Sequence, residues 1–219
     1  MTATTPVRVV LASNNAKKLA ELRRVTAEAA GQAFEVVGLS EVADYPEPAE
    51  TADTFEGNAL IKARAAHQAT GLIALADDSG LAVDAMAGMP GVRSARWSGE
   101  QATDASNNEL LLRQLFDLPP QRRTAQFVCA MALVTDQGEW TVRGEMPGRL
   151  LGEERGENGF GYDPLFVPDG QQRTAAELSP AEKDAISHRG KAVRAIVARL
   201  VEMLNGAQAP DPEAREKEA

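Results

Sequence analysis

Apolar positions recur along this chain with two different periods, one fitting strands and the other helices. Val7–Ala12 is a continuous run rich in β-branched residues, which predicts a strand. Ala16–Ala30 carries Leu19, Leu22 and Val25 with charges between them, which predicts an amphipathic helix. A short strand at Phe34–Val37 leads to a loop rich in proline and glutamate around Tyr45-Pro46-Glu47-Pro48, then to a helix over about Thr54–Thr70. Beyond the next strand, Gly88, Pro90, Gly91 and Gly99 mark a long loop, and Thr103–Phe116 reads as a leucine-rich helix stopped by Pro119-Pro120. Thr124–Thr135 and Glu139–Gly144, joined by Asp136-Gln137-Gly138, predict a hairpin. Ser179-Pro180-Ala181-Glu182 is a capping box with proline at the first helical position, and the last helix is expected to end near Leu204. Strand and helix alternate and antiparallel strands join the parallel ones, so the expected fold class is α/β with a mixed central sheet and flanking helices.

The stretch Leu72-Ile73-Ala74-Leu75-Ala76-Asp77-Asp78-Ser79-Gly80 is the most informative in the chain. An apolar run of strand length breaks into two carboxylates, a hydroxyl and a glycine, and strand ends are where enzymes place chemistry. If the strand continues through the pair, Asp77 and Asp78 point to opposite faces, so that one works and the other supports. Carboxylates at such a place suit Mg²⁺, which binds through one or two of them and takes its other ligands from water and substrate phosphates. An Asx-turn closing the strand is the plain alternative.

Composition then limits the setting. With 219 residues, 43% of them hydrophobic and 25% charged, the chain matches an ordinary soluble globular protein. No apolar run approaches the ~20 residues of a membrane span, so no membrane partner is expected. Met1–Pro6 lacks the features of a secretory signal, which predicts a cytoplasmic location. The net charge of -9 argues against nucleic acid as a partner. Cys129, the single cysteine, sits among Phe127, Val128, Ala130 and Met131 and reads as a small buried hydrophobe. No histidine or cysteine spacing supports zinc. From Asn205 the sequence turns polar and proline-interrupted, so 205–219 is expected to be a disordered acidic tail.

Three further constellations carry donors. Ser13-Asn14-Asn15-Ala16-Lys17-Lys18 lies where the first strand turns into the first helix, and free N–H groups at a helix N-terminus beside a lysine make a phosphate site or, more simply, a cap. In Gly156-Glu157-Asn158-Gly159-Phe160-Gly161-Tyr162-Asp163-Pro164 the glycines let backbone approach a ligand while Phe160 or Tyr162 offers a flat surface for a base. Aromatic residues make up only 5% of the chain, which favours that purpose over a flexible connector. Lys183-Asp184-Ala185-Ile186-Ser187-His188-Arg189-Gly190-Lys191 gathers donors around a break between helices, where His188 and Arg189 can reach a base edge or a phosphate or simply face solvent.

These segments, together with Gly88-Met89-Pro90-Gly91-Val92-Arg93-Ser94-Ala95-Arg96, resemble in order the non-canonical purine nucleoside triphosphate pyrophosphatases, also called XTP/dITP diphosphatases or inosine triphosphate pyrophosphatases. The resemblance covers about Val7–Leu204. It implies a homodimer of single two-lobed domains, here 1–204, each with a deep nucleotide-binding cleft, hydrolysing ITP, dITP and XTP to monophosphate and pyrophosphate with Mg²⁺. By the same resemblance Asp78 is the catalytic base and a metal ligand. Ser13, Asn14, Asn15, Ala16, Lys17, Lys18 and Ser79 hold the triphosphate, while Phe160, Gly161, Tyr162, Asp163, Lys183, His188 and Arg189 bind the nucleoside.

The chain departs from that family at one place. Members commonly read Phe-x-Glu-Asn-Ala, with the glutamate taking part in metal binding, whereas this chain reads Phe55-Glu56-Gly57-Asn58-Ala59. One residue on a helix is a rotation of ~100°, so Glu56, three residues after Asp53, is either a metal ligand beside Asp77 and Asp78 or the end of a capping box. A pyrophosphatase for pyrimidine or modified nucleotides and a non-catalytic nucleotide sensor are the two other readings. Asp78 together with Lys18 speaks against the sensor.

Overall fold

The computed structural model describes residues 6–13, 16–30, 34–42 and 45–207. Its elements run β1 (Val7–Leu11), α1 (Ala16–Ala30), β2 (Phe34–Gly38), α2 (Phe55–Thr70), β3 (Ile73–Val83), α3 (Asp104–Gln114), β4 (Thr124–Thr135), β5 (Gly138–Leu150), β6 (Phe166–Pro168), α4 (Pro180–Ile186) and α5 (His188–Ala207). One sheet joins the strands in the order β2-β1-β3-β4-β5-β6. β1 is parallel to both β2 and β3, and the remaining pairs are antiparallel. This is the expected mixed α/β sheet.

Two apolar layers cover the parallel half. On one face Leu22 and Val25 of α1 and Val193, Ile196, Val197 and Leu200 of α5 pack on Val9, Leu11, Leu75, Met131 and Leu133. On the other, Phe55, Ala59, Ala63 and Ala66 of α2 pack on Val10, Ala74, Ala76, Val128, Ala130 and Ala132. The alanine-rich stripe lets α2 lie close to the sheet. A third core cluster, with Leu81, Leu111, Leu115, Phe127, Met146, Tyr162 and Phe166, lies where the strands run past the parallel half. Gly144 of β5 lets α5 start against the sheet, since an added Cβ would come within 2.1 Å of the His188 carbonyl oxygen.

Three boundaries differ from expectation, those of β3, β5 and α5; β5 runs on to Leu150 and does not end at Gly144. Strand β3 does not stop at Ala76 but continues through Asp77, Asp78, Ser79 and Gly80 to Val83, because the whole stretch pairs with β4 from Val134 back to Ala125. Local turn propensity loses to ladder formation. The cap of α2 is Thr54, whose side chain accepts from the Gly57 N–H, so Asp53 and Glu56 do not form a box. Finally, α5 continues to Ala207, three residues into the segment expected to be tail, and 208–219 lie outside the described residues.

Candidate active site

The chain leaves β1 through α1 on one face and reaches β2, then returns through α2 on the opposite face to β3 on the other side of β1. The carboxyl end of β1 is thus a switch point, where a crevice opens in such sheets. Leu11 pairs with Leu75 and the Ala12 N–H donates to the Leu75 carbonyl at 2.7 Å. That register brings Ser13 alongside the start of the Asp77-Asp78 step. Asn14 and Asn15, and the side chains of Ala16, Lys17 and Lys18, lie outside the described residues.

Because β3 continues through the aspartates, their side chains take opposite faces. Asp78 points to the α2 side and lines a cleft of about 180 Å³. Its Oδ2 accepts from Asn58 Nδ2 at 3.1 Å and its Oδ1 from the Ser79 N–H at 2.9 Å. Lys62, one helical turn beyond Asn58, brings its Nζ to 3.9 Å from Asp78 and 2.7 Å from Glu50. Burial works against the Lys62 charge, but Asp77, Asp78 and Glu50 outweigh it and hold the ammonium above the usual lysine range. Burial also works against the Glu50 charge, yet Lys62 and Arg96 hold that carboxyl below its usual range. Glu50 and Lys62 are therefore each held in their charged forms at this wall.

Asp77 points to the α1 and α5 side, where it meets Arg189. The guanidinium is 2% exposed. It donates to Glu21 through Nη1 and to Ser79 Oγ through Nη2 at 2.9 Å, while Nε lies 3.7 Å from Asp77 Oδ2. Burial opposes this charge too, but Glu21 and Asp77 raise its pKa. One arginine thereby ties α1, β3 and α5 together.

The glycine-aromatic loop forms the other end of the cleft. Asp163 Oδ2 accepts from the Phe160 N–H at 2.9 Å and from Lys183 Nζ at 2.6 Å. The Phe160 ring lies 5.2 Å from the Lys183 ammonium and 5.5 Å from the Arg189 guanidinium. His188 stacks on Phe127 with centroids 4.9 Å apart and also lines the cleft. Tyr162 belongs to the third core cluster and its hydroxyl donates to the Ser94 carbonyl at 2.9 Å. Of the two aromatic candidates, Phe160 is the one less deeply buried at the cleft.

The structure therefore brings together Asp78, Ser79, Phe160, Gly161, Tyr162, Asp163, Lys183, His188 and Arg189 around one cleft. It does not bring the three proposed metal carboxylates together. Asp77 faces away with Arg189, and Glu56, on the α2 face, pairs with Arg143 of β5 at 3.0 Å and not with Asp78. Among the described residues no three His, Cys, Asp or Glu side chains converge. Asn58, Lys62 and Glu50 were missed by reading the sequence. Asn58 and Lys62 stand four apart inside the apolar stripe of α2, and a lysine in such a stripe requires an opposite charge nearby.

The sequence profile of the Ham1 family matches residues 9–199. The chain belongs to the Ham1 family. A dITP/XTP pyrophosphatase of Cutibacterium acnes is 63% identical over 202 residues, covering 91% of this chain and 98% of its own. Among solved structures, a nucleoside-triphosphatase / dITP/XTP pyrophosphatase from Mycobacterium abscessus is 55% identical, with a TM-score of 0.72 over 87% of this chain and 98% of that one. A HAM1 protein from Coxiella burnetii is 43% identical, with a TM-score of 0.81 over 90% and 99%. The Ham1 chains share this curled mixed sheet, and the cleft described above lies within the matched region.

Proposed function

We propose that this Ham1 chain hydrolyses ITP, dITP and XTP to the monophosphate and pyrophosphate, removing aberrant purines from the nucleotide pool. The observation that carries the reading is Asp78, a carboxylate on the cleft wall fixed by Asn58 and the Ser79 N–H and flanked by the Lys62 ammonium. The relatives named as dITP/XTP pyrophosphatases point the same way.

A divalent metal, in our reading Mg²⁺, fits the donor set. Asp78 and Glu50 are carboxylates that line the cleft beside one ammonium, and Mg²⁺ needs only one or two, completing its shell with water and phosphate oxygens. Asp77 and Glu56 do not share that wall. When bound, the ion spreads charge off the phosphoryl oxygens and orients the triphosphate.

The chain's own residues supply the rest. Asp78, oriented by Asn58 and the Ser79 N–H, accepts a proton from the attacking water as the water oxygen bonds to the α-phosphorus. The bond from that phosphorus to the α,β-bridging oxygen breaks, and pyrophosphate leaves toward cations. Lys62 at the cleft wall, with Lys18 and the N–H groups where β1 turns into α1, receives it. No histidine-activated nucleophile is required, so attack is direct. Phe160 offers the base a flat face, and Lys183, His188 and Arg189 provide a donor-rich wall. A six-position carbonyl suits such a wall, whereas the adenine amino group meets it donor to donor. Engagement by Glu21 and Ser79 fixes the plane of Arg189. The same proposal takes the working unit as a cytoplasmic homodimer; no helix among the described residues is long and apolar enough to cross a membrane.

Hydrolysis of ITP in ¹⁸O-water by catalytic amounts of the enzyme tests the reading. The expected products are IMP and pyrophosphate with the label on IMP. Label on pyrophosphate, or IDP with orthophosphate, would overturn it.

A further inference from the structure

The first turn of α3 grips both walls of the nucleoside end of the cleft. Asp104, Asn107 and Asn108 occupy one helical face, at i, i+3 and i+4. Asp104 Oδ2 accepts from the Gly161 N–H at 2.9 Å, while Asn108 Nδ2 donates to the Gly161 carbonyl at 3.2 Å and to Glu154 at 2.7 Å. Both backbone polar groups of Gly161, the residue after Phe160, are therefore held by side chains of one helix. Gly161 has φ 63°, the left-handed region, so the clamp holds a conformation that glycine adopts without steric cost but shares with many others.

Asn107 holds the opposite wall. Its Nδ2 lies 3.3 Å from the carbonyls of Ser94 and Ala95, and its Oδ1 accepts from the Ser98 N–H at 2.8 Å. Ser94 and Ala95 belong to the short helical turn Gly91–Arg96, which lines the cleft opposite the Phe160 loop. That turn sits directly on β3, since Ser94 Oγ accepts from the Leu81 N–H at 2.9 Å and an added Cβ at Gly80 would meet Ser94 Oγ at 2.4 Å. The turn is thus anchored to the strand that carries Asp78, and α3 spans from this anchored wall to the glycine loop.

We propose that Asp104, Asn107 and Asn108 are positioning residues that set the width of the nucleoside end of the cleft and so the fit of the purine against Phe160. This rests on the proposed nucleotide hydrolysis. Asp78 is oriented by Asn58 and the Ser79 N–H and not by the α3 hydrogen bonds described here, so loosening the clamp weakens substrate capture and leaves the chemical step in place.

The test uses the full chain and the variants Asp104→Ala, Asp104→Asn and Asn108→Ala. Loss of the charged acceptor should raise KM for ITP about tenfold with kcat within about twofold, as expected for one charge-assisted hydrogen bond that orders a loop. Asp104→Asn keeps an acceptor oxygen and should restore most of the loss. Amide hydrogen exchange of the segment 156–163, measured without nucleotide, should speed up in Asp104→Ala and Asn108→Ala and stay slow in Asp104→Asn. An unchanged KM with unchanged exchange in folded Asp104→Ala overturns the clamp, as does Asp104→Asn behaving like Asp104→Ala. If Asp104→Ala does not fold, Asn108→Ala decides by the same two readouts. A wild type that fails to cleave ITP overturns the proposed function alone, because exchange at the loop still reports the clamp.

Discussion

The two faces of β3 put the same side chain to opposite uses. Asp78 lies on the α2 face with Asn58 and Lys62, at the wall of a cleft, and shares the Lys62 ammonium with Glu50. Asp77, one residue earlier, lies on the α5 face against an arginine buried between Glu21 and Ser79. Lysine is a point charge on a flexible stem, suited to following a phosphate through a reaction, whereas the planar guanidinium holds a fixed geometry. Strand alternation alone separates the two roles. The α2 face is built to receive charge and the α5 face to be full of it.

The sharpest break between the faces is Asp78→Asn. It keeps the shape and the link to Asn58 but removes the proton acceptor and the negative charge, so kcat for ITP should fall by ~10²- to 10⁴-fold, the usual cost of losing a general base. Binding of ITP, followed by calorimetry at enzyme concentrations where turnover is negligible, should persist. Near wild-type hydrolysis by the purified variant would remove Asp78 from the reaction.

Asp77→Asn should do the reverse. Removing one of the two carboxylates beside the buried Arg189 weakens its compensation while Glu21 remains, which costs about 2 kcal/mol and for a chain of this size lowers Tm by roughly 4–8 °C. At a temperature where the variant is folded, kcat should stay close to wild type, and the concentration of Mg²⁺ giving half-maximal rate should not move. A weakened metal requirement with unaltered Tm would return Asp77 to the metal and erase the contrast.

The sequence made part of this contrast readable. Opposite orientation of Asp77 and Asp78 follows from a period of two once the strand is known to continue, but continuation is decided by β4. Asp-Asp-Ser-Gly is locally a turn former, and only pairing from Ala125 to Val134 overrides that preference. The helix starts at Ser179 and Thr103 were legible because capping is local chemistry. The cap of α2 misled, since Asp53 and Thr54 are both good cap residues and the chain uses the second. Lys62 and Glu50 were legible only as oddities, a lysine in an alanine stripe and a glutamate in a proline-rich loop, because the partner of each is brought by the tertiary fold. Ordered motifs located the cleft, whereas which donors of Arg189 are already engaged was beyond any one-dimensional pattern.

The smallest effect sharpens the closed face from its far end. Helix α5 begins with His188 and Arg189 at the cleft and ends at Ala207, with Val201, Met203 and Leu204 packed at the edge of the core. Residues 208–219 are polar and interrupted by Pro210 and Pro212, so they offer little apolar surface to bury. A stop after Ala207 should therefore leave kcat/KM unchanged and Tm within ~2 °C of wild type, a shift equivalent to under about 1 kcal/mol. Moving the stop to Leu200 removes three partly buried apolar side chains, each worth about 1 kcal/mol or more of burial, and should lower Tm by roughly 6–12 °C. Because these contacts stabilise the helix and not the geometry around Asp78, kcat of the folded fraction should hold. If the stop after Ala207 instead cuts kcat/KM severalfold at constant Tm, the terminal segment takes part in substrate binding, and the cleft is not confined to the two faces of β3 and the loops around them.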